Sequence, residues 1–142
     1  MIAYLDTSAF VPLIIREAGT AACQEIWQLA DRVVSSRLLF VEAAAALAQA
    51  LRMERLTAAQ HAAALSSLDG LWVALDVVEI DADLVSRAAQ LAFQQGLRGY
   101  DAVHCASAER LADPDLVVAA GDRRLLAGLH AIGLATVDVG SS

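Results

Sequence analysis

The sequence contains no lysine and no asparagine, and all ten of its basic residues are arginine. Without lysine there is no Walker-type phosphate loop, no Schiff base with a carbonyl substrate and no receiver-type phosphorylation site. Positive charge is scarce as a whole. Ten cations against seventeen acids give a formal net charge of −7, which argues against a protein that coats nucleic acid through a generic basic surface. Cysteine is limited to Cys23 and Cys105. They show neither C-x-x-C spacing nor a histidine at zinc-ligand spacing, so both are expected as small core hydrophobes. No uncharged apolar run reaches about 18 residues, so no membrane span is expected. The chain starts at a strand, with neither a basic leader nor a signal-type apolar region, and a soluble cytoplasmic protein is the expectation.

What is abundant is apolar residues, at 58% against about 45–50% in ordinary globular domains. Much of the excess is alanine, which favours helix as well as core. Some apolar surface is expected to remain for a partner chain. With 142 residues, one domain spanning 1–142 with a core of its own is expected.

The chain is organised around its first ten residues. Ile2-Ala3-Tyr4-Leu5 is a short apolar run that reads as a buried strand. It ends abruptly in Asp6-Thr7-Ser8, a carboxylate and two hydroxyls with the chemistry of a strand-to-helix turn. Helices are expected at 9–16, 20–31, 37–54 and 58–69, the last with a possible run to 73. Further helices are expected from Asp81 to near Gly96, at 100–111 and at 121–132. Strands are expected at 33–34, 77–80, 116–119 and 135–137. This alternation predicts an α/β fold, a central parallel sheet covered by helices on both faces. In such sheets ligands bind beyond the carboxyl ends of the strands, which is where Asp6 would lie.

Three further acids stand out. Glu42 is the only charged residue between Leu38 and Leu51, and its helical neighbours are Leu38, Leu39, Ala45 and Ala46. An ionised carboxylate on such a face costs several kcal/mol unless it is paired or binds metal. It either sits on an exposed rim, bridges an arginine such as Arg37, or organises a cation. Asp101 opens an apolar helix after Gly96-Leu97-Arg98-Gly99, a loop whose glycines would let backbone approach a ligand; the plain alternative is a first-turn acid. Asp122 follows a strand and precedes Arg123-Arg124-Leu125, an ideal N-cap context, yet it lies at the same sheet edge as Asp6. Four carboxylates converging on one rim would offer oxygen donors only, which favours Mg2+ or Mn2+ over zinc. Such a cluster suits phosphodiester hydrolysis. No Ser-His-Asp or Cys-His arrangement competes.

Leu5-Asp6-Thr7-Ser8-Ala9, Phe40-Val41-Glu42-Ala43, Arg98-Gly99-Tyr100-Asp101-Ala102-Val103-His104 and Gly121-Asp122-Arg123-Arg124-Leu125, in that order, resemble the motifs of a PIN-domain ribonuclease of the VapC toxin type. The resemblance spans essentially the whole chain; its first and third motifs are specific, the others persuasive in order. It implies a five-stranded parallel sheet and a Mg2+- or Mn2+-dependent endoribonuclease. It implies further that Asp6, Glu42, Asp101 and Asp122 form the catalytic metal site, Asp6 and Asp101 most directly, with the Ser8 hydroxyl in support. The partners it implies are an RNA substrate, a cognate antitoxin that inhibits the nuclease site, and a second copy in a homodimer. One departure stands at Ala120, where the family often has Thr or Ser two residues before the fourth acid.

Around these motifs, Arg98, Arg123 and Arg124 are candidates for RNA phosphate contact, with Arg37, Arg52 and Arg55 weaker; the plain alternative is a surface arginine or a pair with one of the site acids. His104 lies one turn after Asp101 and is expected either as a packed, hydrogen-bonded histidine or near the scissile phosphate. His61 and His130 are expected on helix surfaces, Trp27 and Trp72 in the core or an interface, and Tyr100 in packing or stacked on a base. Residues 10–30 and 58–75 are candidates for an antitoxin-binding groove. A catalytically weak interaction module of the same fold is the alternative. A phosphatase with an aspartate nucleophile is disfavoured, because that chemistry wants Asp-x-Asp and Ser8 stands at the second position.

Overall fold

The computed structural model of the protein describes residues 1–140. Five strands, β1 (Ile2–Leu5), β2 (Arg32–Ser36), β3 (Asp76–Val78), β4 (Leu116–Ala120) and β5 (Ala135–Asp138), form one parallel sheet in the order β3-β2-β1-β4-β5. β1 is central, registered Ile2↔Arg32 on one side and Ile2↔Leu116 on the other. Its flanks are therefore both buried, which is why it reads as an uninterrupted apolar run.

The helices are α1 (Thr7–Phe10), α2 (Thr20–Leu29), α3 (Leu38–Arg52), α4 (Ala58–Trp72), α5 (Ala82–Gln95), α6 (Gly99–Leu111) and α7 (Arg123–Ala131). The period-2 alternation of the strands divides them between two cores. Tyr4, Val118 and Ala120 face a cluster with Leu84, Leu91, Cys105, Leu125 and Leu129 from α5, α6 and α7. Ala3, Leu5 and Ala119 face the other, with Phe10, Cys23, Ile26, Leu39, Leu47 and Leu68 from α1 to α4. Full burial of each large side chain contributes about 1.5–3 kcal/mol. Cys23 and Cys105 are free and buried, as their isolation in the sequence predicts.

Most boundaries fall near the expected ones, and the departures have local causes. The helix expected at 9–16 is instead the single turn of α1 followed by a 3-10 turn at Val11–Leu13, with Pro12 in its first positions. Proline lacks the N–H that would continue an α-helical ladder. α4 runs through Gly70 to Trp72, and its start carries a full capping box between Thr57 and Gln60. β3 ends at Val78, two residues before the expected end at Ile80. Gly96 closes α5 in the left-handed conformation (φ 63°), while Gly99 is the first residue of α6 with open space where a Cβ would point. The expected ligand-cradling loop is thus a helix stop followed by a helix start. No helix among the described residues is long and apolar enough to cross a membrane.

Candidate functional site

The carboxyl edge of the sheet carries a cavity of about 490 Å3 lined by Asp6, Ser8, Glu42, Arg98, Asp101 and Asp122, together with Thr7, Glu17, Tyr100 and His104. The four acids singled out in the sequence come from four different elements and reach this one space.

Asp6 follows the last residue of β1 and caps α1. Its Oδ1 accepts from the Ala9 N–H (3.2 Å) and from the Ser8 hydroxyl (2.6 Å). The residue is 4% exposed, and this burial pushes its carboxyl pKa up to about 6, against the opposing pull of His104 and the Ser8 hydrogen bond. Ser8 also accepts from the Gly121 N–H at 2.7 Å. One hydroxyl therefore joins the end of β1 to the turn after β4. That turn is pressed close by the chain end: a Cβ on Gly140 would lie 2.8 Å from the Gly121 carbonyl oxygen, so only glycine fits there. Ser8 in this way ties down the segment on which Ala120 offers no hydroxyl.

Asp122 is both things its context suggested. Its Oδ1 accepts from the Leu125 N–H (3.0 Å) as the N-cap of α7, while its Oδ2 accepts from Arg98 (3.3 Å). Asp101 lies in the first turn of α6, 5% exposed, and accepts from Arg98 Nε at 3.0 Å. Burial raises the Asp101 pKa and the Arg98 guanidinium counteracts it. Arg98 thus bridges two of the four acids, with its guanidinium 4.8 Å from the centroid of the Tyr100 ring. Tyr100 lines the cavity, 44% exposed, with Arg98 packed over its ring.

Glu42 is not bridged to Arg37, which pairs with Glu79 instead. Its Oε1 accepts from Thr7 Oγ1 at 2.7 Å and lies 2.6 Å from His104 Nε2. His104 is buried, and its Nδ1 sits 2.7 Å from the hydroxyl of the wholly buried Tyr4. The sequence pointed to His104 through its one-turn spacing from Asp101, but Thr7 read only as capping chemistry and Tyr4 only as strand. A signal for Tyr4 was available: it stands two residues before Asp6, and the extended backbone of the strand carries on to that cap, which puts both on one side. Glu17 is a cavity-lining acid that no pattern in the sequence marked.

Arg123 and Arg124 are exposed and outside the cavity lining. His130 is exposed, His61 half-buried. Trp27 and Trp72 pack on the edge of the second core, Trp72 edge-on to Phe40.

The donor set at the cavity is carboxylate oxygen, the chemistry of hard divalent cations. Asp6 and Glu42 each have one oxygen held by hydrogen bonds and a second with none among the described residues. Among the described residues, no three His, Cys, Asp or Glu side chains are drawn together closely enough to hold an ion as they stand. Arg98 supplies the positive charge between Asp101 and Asp122.

Comparison with known proteins adds a family to this geometry. The family model for the PIN domain matches residues 3–127. Ribonuclease VapC45 and ribonuclease VapC49, both of Mycobacterium tuberculosis, are each 45% identical over 130 residues, covering 92% of this chain and 90% of theirs. The crystal structure of PAE2754 from Pyrobaculum aerophilum superposes with a TM-score of 0.74 at 26% identity, covering 99% of this chain and 85% of that one.

Proposed function

This chain belongs to the PIN-domain family and is similar along most of its length to VapC proteins, and from that premise we propose that it is a metal-dependent endoribonuclease, the toxin of a toxin–antitoxin pair. The observation that carries the reading is the meeting of Asp6, Glu42, Asp101 and Asp122 in one cavity at the carboxyl edge of the sheet, together with relatives named as ribonucleases.

In this reading Asp6 and Asp101 would hold Mg2+ or Mn2+, with Glu42 and Asp122 supporting the site. The bound cation supplies a water of lowered pKa and stabilises negative charge on the phosphate. The chain's own residues do the rest. Ser8 holds the Asp6 carboxylate against the β4 turn. Thr7 and His104 hold Glu42. Arg98, paired with Asp101 and Asp122, would be the nearest cation to an RNA phosphate at the site; Arg123 and Arg124, exposed at the start of α7, would extend that contact outward. A cleft of about 260 Å3 where Ile14 and Ile15 meet Ala63 and Ala64 lies between the segments 10–30 and 58–75 that we propose as the antitoxin seat. A cytoplasmic homodimer completes the proposal.

A catalytically weak interaction module is the second reading, favoured by one observation: the single charge of Arg98 already pairs with two of the four acids. The deciding experiment is Mn2+ titration by calorimetry into wild-type protein and Asp101→Asn, paired with an RNA cleavage assay. The nuclease reading expects saturable binding lost in the variant, and cleavage abolished by EDTA and by Asp6→Ala. Equal cleavage by the Asp6→Ala protein would refute it. RNA or antitoxin binding without metal-dependent turnover would select the module.

A further inference from the structure

We propose that His104 is a positioning residue: it carries the orientation of the Tyr4 hydroxyl across its ring to Glu42, fixing one carboxylate oxygen so that the other is presented to the cavity. The inference rests on the reading of Glu42 as part of the cation site and deepens it.

Three contacts in series carry the argument. Tyr4 OH to His104 Nδ1 is 2.7 Å, His104 Nε2 to Glu42 Oε1 is 2.6 Å, and Thr7 Oγ1 to the same Oε1 is 2.7 Å. A carboxylate can only accept, so Nε2 carries a proton and donates to Glu42. In the neutral ring Nδ1 is then the acceptor, and the Tyr4 hydroxyl is the donor that faces it. The Ser35 hydroxyl donates to the Leu5 carbonyl (2.5 Å) and the Ser107 hydroxyl to the Val103 carbonyl (2.7 Å), so neither gives Tyr4 a proton, while both oxygens can compete with His104 Nδ1 for the one Tyr4 carries. The Nε2–H tautomer is the one that satisfies both contacts, with Glu42 as acceptor and Tyr4 as donor.

The chain of contacts is also rigid. Tyr4 has no exposed surface, His104 is 2% exposed, and their rings meet edge to face at a centroid distance of 5.8 Å. Glu42 by contrast projects from α3, on the opposite side of the sheet core from α6. A flexible three-carbon side chain in that position would otherwise sample several rotamers. Anchoring Oε1 twice leaves Oε2 in a defined place, and it has no hydrogen bond among the described residues. Groups that orient a metal ligand in this way change metal affinity by about 10–100-fold when removed.

The test uses Tyr4→Phe, which keeps the buried ring and deletes only the hydroxyl, and His104→Gln, which keeps an N–H donor for Glu42 but breaks the link to Tyr4. Histidine nitrogen shifts measured by NMR on metal-free protein report the tautomer, and calorimetry with Mn2+ alone reports the site. The expected wild-type signature is a neutral His104 protonated on Nε2, lost or averaged in Tyr4→Phe. Mn2+ affinity is expected to fall by about 3–10-fold in Tyr4→Phe, and more in His104→Ala than in His104→Gln. Circular dichroism confirms that each variant is folded. A wild-type ring protonated only on Nδ1 would overturn the proposal. So would a Tyr4→Phe protein whose nitrogen shifts and Mn2+ affinity both match wild type. Wild-type protein that binds no Mn2+ would instead refute the cation reading of the site, while the nitrogen shifts still decide the relay.

Discussion

Replacing Asp6 with asparagine should make the metal-free protein more stable while removing its activity. The wild-type carboxyl is buried and its pKa is pushed up to about 6, whereas in the unfolded chain it titrates near about 3.9. Between those values the folded protein binds more protons than the unfolded one, so stability falls as pH rises from about 4 to about 6 and stays low above that. Two pKa units at about 1.4 kcal/mol each place the penalty near 3 kcal/mol at pH 7.5, as an order of magnitude. Asp101, also raised by burial, adds in the same direction. Asparagine keeps a carbonyl oxygen for the Ser8 hydroxyl and the Ala9 N–H and removes the charge. In EDTA at pH 7.5, Asp6→Asn should therefore melt higher than wild type by on the order of 5–10 °C. At pH 5 about half of the advantage should remain, because the wild-type group is then mostly protonated. Excess Mn2+ should narrow the gap from the other side by raising only the wild type. Thermal denaturation at the two pH values measures this. An Asp6→Asn protein that melts at or below wild type at pH 7.5, or a gap that does not change with pH, would refute the reasoning.

Two other perturbations follow from the same geometry. Ser8→Ala removes both the proton given to Asp6 and the acceptor for Gly121 N–H; RNA cleavage should fall by about 10–100-fold with the fold retained, measured as initial rates at saturating Mn2+. Changing Arg123 and Arg124 together to alanine should lower the slope of log binding constant against log salt by about 1.4 for single-stranded RNA if each meets one phosphate, and an unchanged slope would place the RNA elsewhere.

The architecture was legible because its signals are local and repeated. Short apolar runs alternate with amphipathic stretches, and each of the four acids announces itself by context: Asp6 by ending a strand, Glu42 by its solitude on an apolar helix, Asp101 by opening a buried one, Asp122 by following β4. What the sequence left open depends on distances between elements. Whether Glu42 would find Arg37 or some other partner was set by Arg37 reaching Glu79 across from β3, and by His104 arriving from α6. Arg98 read as a candidate either for phosphate contact or for a pair with one site acid; only the fold shows that it bridges both Asp101 and Asp122. The break after Phe10 needed the backbone consequence of Pro12 in a turn already bent by the Asp6 cap.

The central place of β1 has a consequence for how the protein is made. β1 pairs with β4, Ile2 against Leu116, and the hydrogen bond that ties the two halves of the site together, Gly121 to Ser8, joins residues 113 positions apart. Contacts of such long sequence separation form late, after the loop between them has closed. Every nascent or truncated chain that stops before β4 therefore carries Asp6 on an unpaired strand edge and has no assembled acid cluster. In the nuclease reading, cutting therefore requires β4 and the turn that follows it.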